Sequence, residues 1–436
     1  MNEKEIAHQI DSYLHRLFPI CRSITGDGNR QTLKVLQEII PISIKEYPSG
    51  RHVYDWVIPD EWNIRDAWIK DEEGNRLIDF NQSNIHVVSY SEPVNRKMRF
   101  EELKPKLHYL ENLPEAIPYR TTYYKRDWGF CLTKAQYEII ESKNCLLDVC
   151  IDSDFNPNGS LTIGEIVIPG KRNEEFLVST YMCHPSLAND NLSGLILTAM
   201  LSREILQGEQ PNYTWRIIFV PETIGAIVYC AMNEERMKSI KAGLVVTTVG
   251  GPGKFGYKQS FDVTHSINKI IEQVFQENNI DYIIYPFDIH GSDERQYSSV
   301  GFRINTASIT KDKYYNYPYY HTSLDNLAFV NGEQVAQTLT LYQEVIRKMD
   351  SDVIYKNRFP ECEVMLSKHN LYPKIGGGQL PEANGKSELD LILWLLWYCD
   401  GDKSLISIAS ELGVDIESLM IISGVLEKKG VLQRIS

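Results

Sequence analysis

Between residues 147 and 350 short apolar runs of strand length alternate with longer runs of helical period, and this alternation restricts the fold more than any other feature. Strand-like stretches fall at 147–151, 161–168, 176–178, 216–220 and 243–247. Helical stretches fall at 192–206, 226–238, 263–278 and 332–349. Unbroken apolar strands are covered on both faces, and helices between them supply the cover. The expected fold class is therefore α/β, a mixed sheet flanked by helices. No period of roughly 20–50 residues is visible, which excludes a solenoid.

The flanks have a different texture. Helices are expected at 3–18 and 29–39, joined by the turn Cys21-Arg22-Ser23-Ile24-Thr25-Gly26-Asp27-Gly28. Short β-like runs broken by Pro, Gly and Asn then mark a small β-rich insertion. A Gly/Pro connector around 374–385 precedes helices at 389–398, 405–412 and 416–429 and a strand at 430–435, the pattern of a winged helix. The reading assigns 1–43 and 125–355 to the α/β domain, 44–124 to the insertion, 356–385 to a linker and 386–436 to the winged helix.

Charge sorts the partners. A net charge of −13 opposes nucleic acid, whose backbone demands a basic face. The tail from 386 carries five basic and eight acidic residues, and its groove-facing helix would begin Asp415-Ile416-Glu417. That module is expected to pack on protein, with Trp394 and Trp397 as contacts for a possible homodimer. The chain has no apolar run of about 18 residues, and Met1 to Ile6 lack the apolar core of a signal peptide. Eight cysteines show no CxxC spacing. The expectation is a cytoplasmic protein without membrane contact.

Four segments carry candidate chemistry. Cys183-His184-Pro185-Ser186-Leu187-Ala188-Asn189-Asp190-Asn191 follows a strand-like run and precedes a helical one, so His184 and Asp190 share a strand-to-helix loop. Such loops gather at the carboxyl edge of an open sheet, and imidazole with carboxylate suits zinc. Glu222, after the run 216–220, reaches the same edge. Asp293 and Glu294 lie in a Gly-Ser turn. His321 lies in Tyr319-Tyr320-His321-Thr322-Ser323-Leu324-Asp325, where Thr322 and Asp325 are placed to orient its second ring nitrogen.

The order of these motifs resembles that of the co-catalytic two-zinc aminopeptidases, the superfamily of leucyl aminopeptidases and glutamate carboxypeptidase. It is most similar to bacterial aminopeptidase-like proteins with a small β insertion and a winged-helix tail. Arg22 to Gly28, Cys183 to Ser186, Asn189 to Gly194, Pro221 to Gly225, Gly291 to Glu294 and Tyr320 to Thr322 carry the resemblance. It implies a metallo-aminopeptidase acting on a peptide or small amide with one or two zinc ions. His184, Asp190 and His321 would be metal ligands, Glu222 a ligand or proton acceptor, and Tyr320 an oxyanion donor. The sequence departs from the family where His184-Pro185-Ser186 lacks the acid of His-x-Asp, where Glu222 stands alone instead of paired, and where Thr247-Thr248 replaces an aspartate ligand. Asp293 and Glu294 are spare acids for the missing roles of base, ligand or amine anchor. A degenerate member that binds without turnover and an amide hydrolase of polysaccharide biosynthesis are the alternative readings.

Overall fold

The structure, a computed structural model, describes residues 3–372 and 387–435. The chain divides into two compact units, Met1–Phe261 with Asn279–Gln343, and Asp262–Asn278 with Glu344–Ser436. Among the described residues no helix is long and apolar enough to cross a membrane.

The first unit opens with α1 (Glu3–Leu17) and α2 (Asp27–Leu36). Helix α1 buries Ala7, Ile10, Leu14 and Leu17, spaced by three and four so that one face is apolar. Gly26 before α2 has φ 106, and a Cβ there would lie 2.3 Å from the Trp62 carbonyl oxygen. Only glycine meets both conditions.

The strands longer than two residues in this unit are β1 (Ser43–Pro48), β2 (Glu61–Lys70), β3 (Arg76–Asp79), β4 (Val94–Met98), β5 (Leu147–Asn156) and β6 (Ser160–Ile168). They continue with β7 (Glu175–Tyr181), β8 (Thr214–Val220), β9 (Gly243–Val245), β10 (Phe255–Lys258), β11 (Tyr282–Tyr285) and β12 (Thr306–Lys311). An eight-stranded mixed sheet runs β1-β6-β8-β7-β9-β12-β10-β11. Strands β7, β8 and β12 are buried along their whole length, β12 (Thr-Ala-Ser-Ile-Thr-Lys) without an apolar run to mark it. Helices α3 (Ser193–Gln207) and α4 (Ile224–Met232) follow β7 and β8 directly.

Strand β5 departs from expectation. It pairs antiparallel with β2 and β4 in a separate four-stranded sheet, β3-β2-β5-β4, rather than joining the large one. Leu147, Val149 and Ile151 are buried, while Asp152 and Asp154 reach out to Arg65. That alternation marks a strand with one wet face. The β-rich region thus extends beyond residue 124, and its core joins Ile69, Leu107, Phe130 and Val149.

In the second unit β13 (Ile354–Asn357) is the middle strand of a three-stranded sheet with β14 (Asp400–Ser404) and β15 (Leu432–Arg434). Helices α6 (Glu388–Tyr398), α7 (Leu405–Leu412) and α8 (Ile416–Lys428) pack a core of Leu391, Leu395, Leu419, Leu426 and Val431. This is a winged helix, and its sheet begins before the expected linker boundary at 356 because β13 is its centre. Helix α5 (Ser266–Glu277), read as part of the α/β domain, belongs to this unit and lies against α7. The predicted connector at 374–385 lies outside the described residues. Trp397 is 77% exposed, so it is not a core residue of the module.

Candidate metal centre

Strands β7 and β8 are parallel neighbours, with Tyr181 opposite Val220. Both chains therefore leave the sheet at the same edge, one into His184 and the other into Glu222. The loop after β7 is held from three sides. Arg22, 2% exposed, donates through Nε to the His184 carbonyl (2.9 Å) and through Nη2 to the Pro185 carbonyl (3.0 Å). Asp325 accepts from the backbone N–H groups of Asn189 (2.6 Å) and Asp190 (3.0 Å). Asn191 donates its amide to the carbonyls of Tyr181 and Val246, and Asn189 Oδ1 accepts from the Gly250 N–H at 2.8 Å. The two asparagines are pins, and the aspartate between them projects into the site. The Asp190–Asn191 peptide is cis.

His321 arrives from a distant loop and is the third member. Its carbonyl accepts from the Tyr119 N–H (2.8 Å), and Ser323 exchanges hydrogen bonds with the backbone of Ile117, so a segment of the β-rich region carries it. Its ring stacks on Tyr320 at 3.9 Å between centroids. Tyr119 packs against both imidazoles, 5.1 Å from each.

Ligand atoms of His184, Asp190 and His321 lie within 4.8 Å of one another. His321 Nε2 is 2.9 Å and His184 Nε2 is 3.9 Å from Asp190 Oδ2. The shorter approach lacks hydrogen-bond geometry, and both Asp190 Oδ2 and His321 Nε2 are buried without a partner. Orphaned acceptors that converge in this way are costly unless a cation joins them. Burial pushes His184 down to about 4, which keeps its imidazole neutral and able to ligate at pH 7. Burial works against the charge on Asp190, but the two imidazoles and the Tyr181 hydroxyl outweigh it and hold the carboxyl at about 2. Two nitrogens and a carboxylate oxygen suit zinc. The residues present therefore fit the ion that the sequence resemblance implies.

Glu222 stands beside this set, grouped with Cys183 and His184 within 4.8 Å rather than with Asp190 and His321. Burial, then the Asp190 charge, raises its carboxyl to about 7. Asp293 is fully buried, accepts from the Thr223 N–H at 2.7 Å and leaves Oδ2 without a partner. Burial, then Glu222, raises its proton affinity well above the ordinary range. Glu294 is tied elsewhere through Oε1, to Lys258 Nζ at 2.9 Å and the Tyr314 hydroxyl at 3.0 Å. An interior ion pair already engages it, unlike its neighbour.

Two expectations need correction. Thr322 donates to the Tyr319 carbonyl, and Asp325 spends both oxygens on the Asn189 and Asp190 N–H groups and the Tyr317 hydroxyl. Neither orients the His321 ring. Asp325 instead fixes the Asp190 loop. Sequence reasoning also passed over Tyr119, whose place beside the metal set has no local signal. Tyr181 it took only as the end of an apolar run, although a phenol at a strand end two residues before Cys183-His184 was a visible cue.

A family model described as a domain of unknown function (DUF4910) matches residues 11–352, and a winged helix-turn-helix model matches residues 353–434. The chain belongs to the DUF4910 family. Its similar proteins include a Clostridium acetobutylicum protein provisionally named a polysaccharide biosynthesis protein with an aminopeptidase-like domain. Identity there is 40% over 418 residues, covering 96% of this chain and 94% of that one. A crystal structure of a Clostridium acetobutylicum protein provisionally called a peptidase matches with a TM-score of 0.83 at 38% identity, covering 100% of this chain and 98% of the other. A zinc aminopeptidase from Bacillus subtilis matches with a TM-score of 0.56 at 12% identity, covering 80% of this chain and 95% of that one. This DUF4910 protein thus has the aminopeptidase-like fold, extended by a C-terminal winged helix.

Proposed function

We propose that this protein is a zinc-dependent hydrolase of peptide or related amide bonds, in which His184, Asp190 and His321 hold the ion and Glu222 moves the proton. The carrying observation is the convergence of three donors with Asp190 Oδ2 and His321 Nε2, 2.9 Å apart, both left without a hydrogen bond. When bound, zinc would polarise the scissile carbonyl and acidify a water at neutral pH. Glu222, with a proton affinity near neutral pH, takes a proton from the attacking water at its carboxylate and returns it to the departing nitrogen. Buried Asp293 keeps its own proton, since burial and the Glu222 charge both oppose its ionisation. Tyr320, half-buried and stacked on His321, keeps its phenolic proton and donates a hydrogen bond through it to the amide oxygen as charge develops. Tyr119 packs against both imidazoles, tilted to His184 and edge-on to His321, and limits the movement of their rings.

The test is release of chromogenic amine from amino-acid anilides, with and without a chelator. The proposal requires activity that chelation abolishes and zinc restores; activity indifferent to both contradicts it.

A second reading, an amide on an amino sugar, is favoured by the exposed aromatic trio Tyr54, Trp56 and Tyr124. Trp56 and Tyr124 meet edge to face at 5.6 Å, one residue along the chain from Tyr123, whose hydroxyl bonds Tyr119. Sugar rings present apolar C–H faces that suit such surfaces, and the provisional name of the Clostridium acetobutylicum relative points the same way. Release of acetate from N-acetylated amino sugars by the same preparation decides between the two.

A further inference from the structure

Asp190 has two oxygens, and only one is free. Oδ1 accepts a hydrogen bond from the Tyr181 hydroxyl, while Oδ2 faces the two imidazoles without a hydrogen-bond partner. A carboxylate can only accept, so the single phenolic proton of Tyr181 is spent on Oδ1. Thr247 Oγ1, 2.7 Å from the Tyr181 oxygen, must then be the donor to it. Thr247, Tyr181 and Asp190 form a one-way relay in which every member is buried. The proton of Tyr181 stands where a second cation would have to reach Oδ1.

The other candidate donor set, Cys183, His184 and Glu222, is not independent, because it shares His184. A neutral imidazole carries one lone pair and one N–H. If Nε2, turned toward Asp190 Oδ2, gives its lone pair to an ion there, the proton sits on Nδ1, which lies 3.6 Å from Cys183 Sγ. That sulfur also accepts the Glu222 N–H at 3.3 Å. The two sets are therefore alternatives for one ion. Among the described residues no three-donor set includes Asp293 or Glu294.

We propose that the centre holds a single cation per chain, and that Tyr181, fed by Thr247, is the positioning residue that turns Asp190 into a one-sided ligand. This rests on the metal reading above and deepens it. Tyr181 acts through Asp190 and touches neither ion nor substrate. Holding the carboxylate by its far oxygen fixes the direction of the near one, as outer partners of metal ligands do.

The experiment is titration of metal-free full-length protein with Co²⁺, read by visible absorption and electron paramagnetic resonance, beside zinc content after gel filtration from excess zinc. We expect one equivalent, lost in Asp190→Asn, and an uncoupled Co²⁺ signal. Tyr181→Phe should still take one equivalent, bound roughly ten- to hundredfold more weakly and with a shifted visible spectrum. A role confined to folding would not move that spectrum. Thr247→Val, which removes only the outer hydroxyl, should act in the same direction and serves if Tyr181→Phe does not fold. Two equivalents that both vanish in Asp190→Asn overturn the single-cation proposal and leave the hydrolase reading standing. No bound equivalent at all overturns both. Unchanged affinity and spectrum in the two relay variants remove Tyr181 from the role.

Discussion

Replacing Arg22 by Lys keeps the charge and should nevertheless damage the site. Three backbone carbonyls, those of Leu17, His184 and Pro185, receive hydrogen bonds of 2.8 to 3.0 Å from different nitrogens of the Arg22 guanidinium. A planar fork spans them; an ammonium at one point does not. Lys therefore abandons about two buried carbonyl oxygens, at roughly 1–3 kcal/mol each. It also buries a more strongly hydrated charge in their place, so nothing offsets the loss. The expected destabilisation is about 4 kcal/mol. The freed His184 backbone should weaken zinc binding by about tenfold or more. Chemical denaturation followed by tryptophan fluorescence, with chelator competition for zinc affinity, measures both. An Arg22→Lys protein within about 0.5 kcal/mol of wild type, with unchanged zinc affinity, would refute the assignment of Arg22 as the clamp on the first ligand.

Glu222→Gln should retain its zinc and lose about 10²- to 10⁴-fold in kcat on an anilide substrate; equal loss of metal would make Glu222 a ligand instead. Gly194→Ala should destabilise the protein by roughly 1–3 kcal/mol, because its Cβ would lie 2.2 Å from Asn191 Oδ1 and 2.7 Å from the Val246 carbonyl oxygen. A melting temperature equal to wild type would show that the Asn191 pin yields. Just before β13, burial raises Asp352 from the usual 3.8 to about 6. The folded chain then holds the proton more tightly than the unfolded one. Its stabilisation is full below about pH 4 and is lost as pH rises through about 6, a change of about 3 kcal/mol. Asp352→Asn should lack this component, and parallel stability–pH curves for the two proteins would contradict the sign.

The central strands were legible because burial on both faces leaves a short apolar run in each, Phe176-Leu177-Val178 in β7 and Ile217-Ile218-Phe219-Val220 in β8. Their loops then carried His184, Asp190 and Glu222 to one edge by topology alone. Strand β5 was misplaced because an apolar run says that a strand is buried and not which strand it pairs with; Glu61–Lys70 decided that, across some 80 intervening residues. Strand β14, Asp-Gly-Asp-Lys-Ser, left no apolar trace, since pairing with β13 alone makes it a strand. Asp325 was read as the partner of its neighbour His321, yet its carboxylate bonds the Asn189 and Asp190 backbone. Local spacing favours the near partner, and the fold supplied a far one. Tyr119 illustrates the limit most plainly: aromatic packing on two imidazoles depends wholly on how a remote loop is laid across the sheet edge.

The account stands on two distant histidines and one aspartate sharing an ion. Equilibrium dialysis of the wild-type protein and its His321→Ala variant against buffered zinc, followed by elemental analysis, tests this directly. Wild type should retain tightly bound zinc that the variant, still folded by circular dichroism, does not. Equal zinc in both proteins would contradict the account, since the imidazole that closes the set would then play no part in holding the metal.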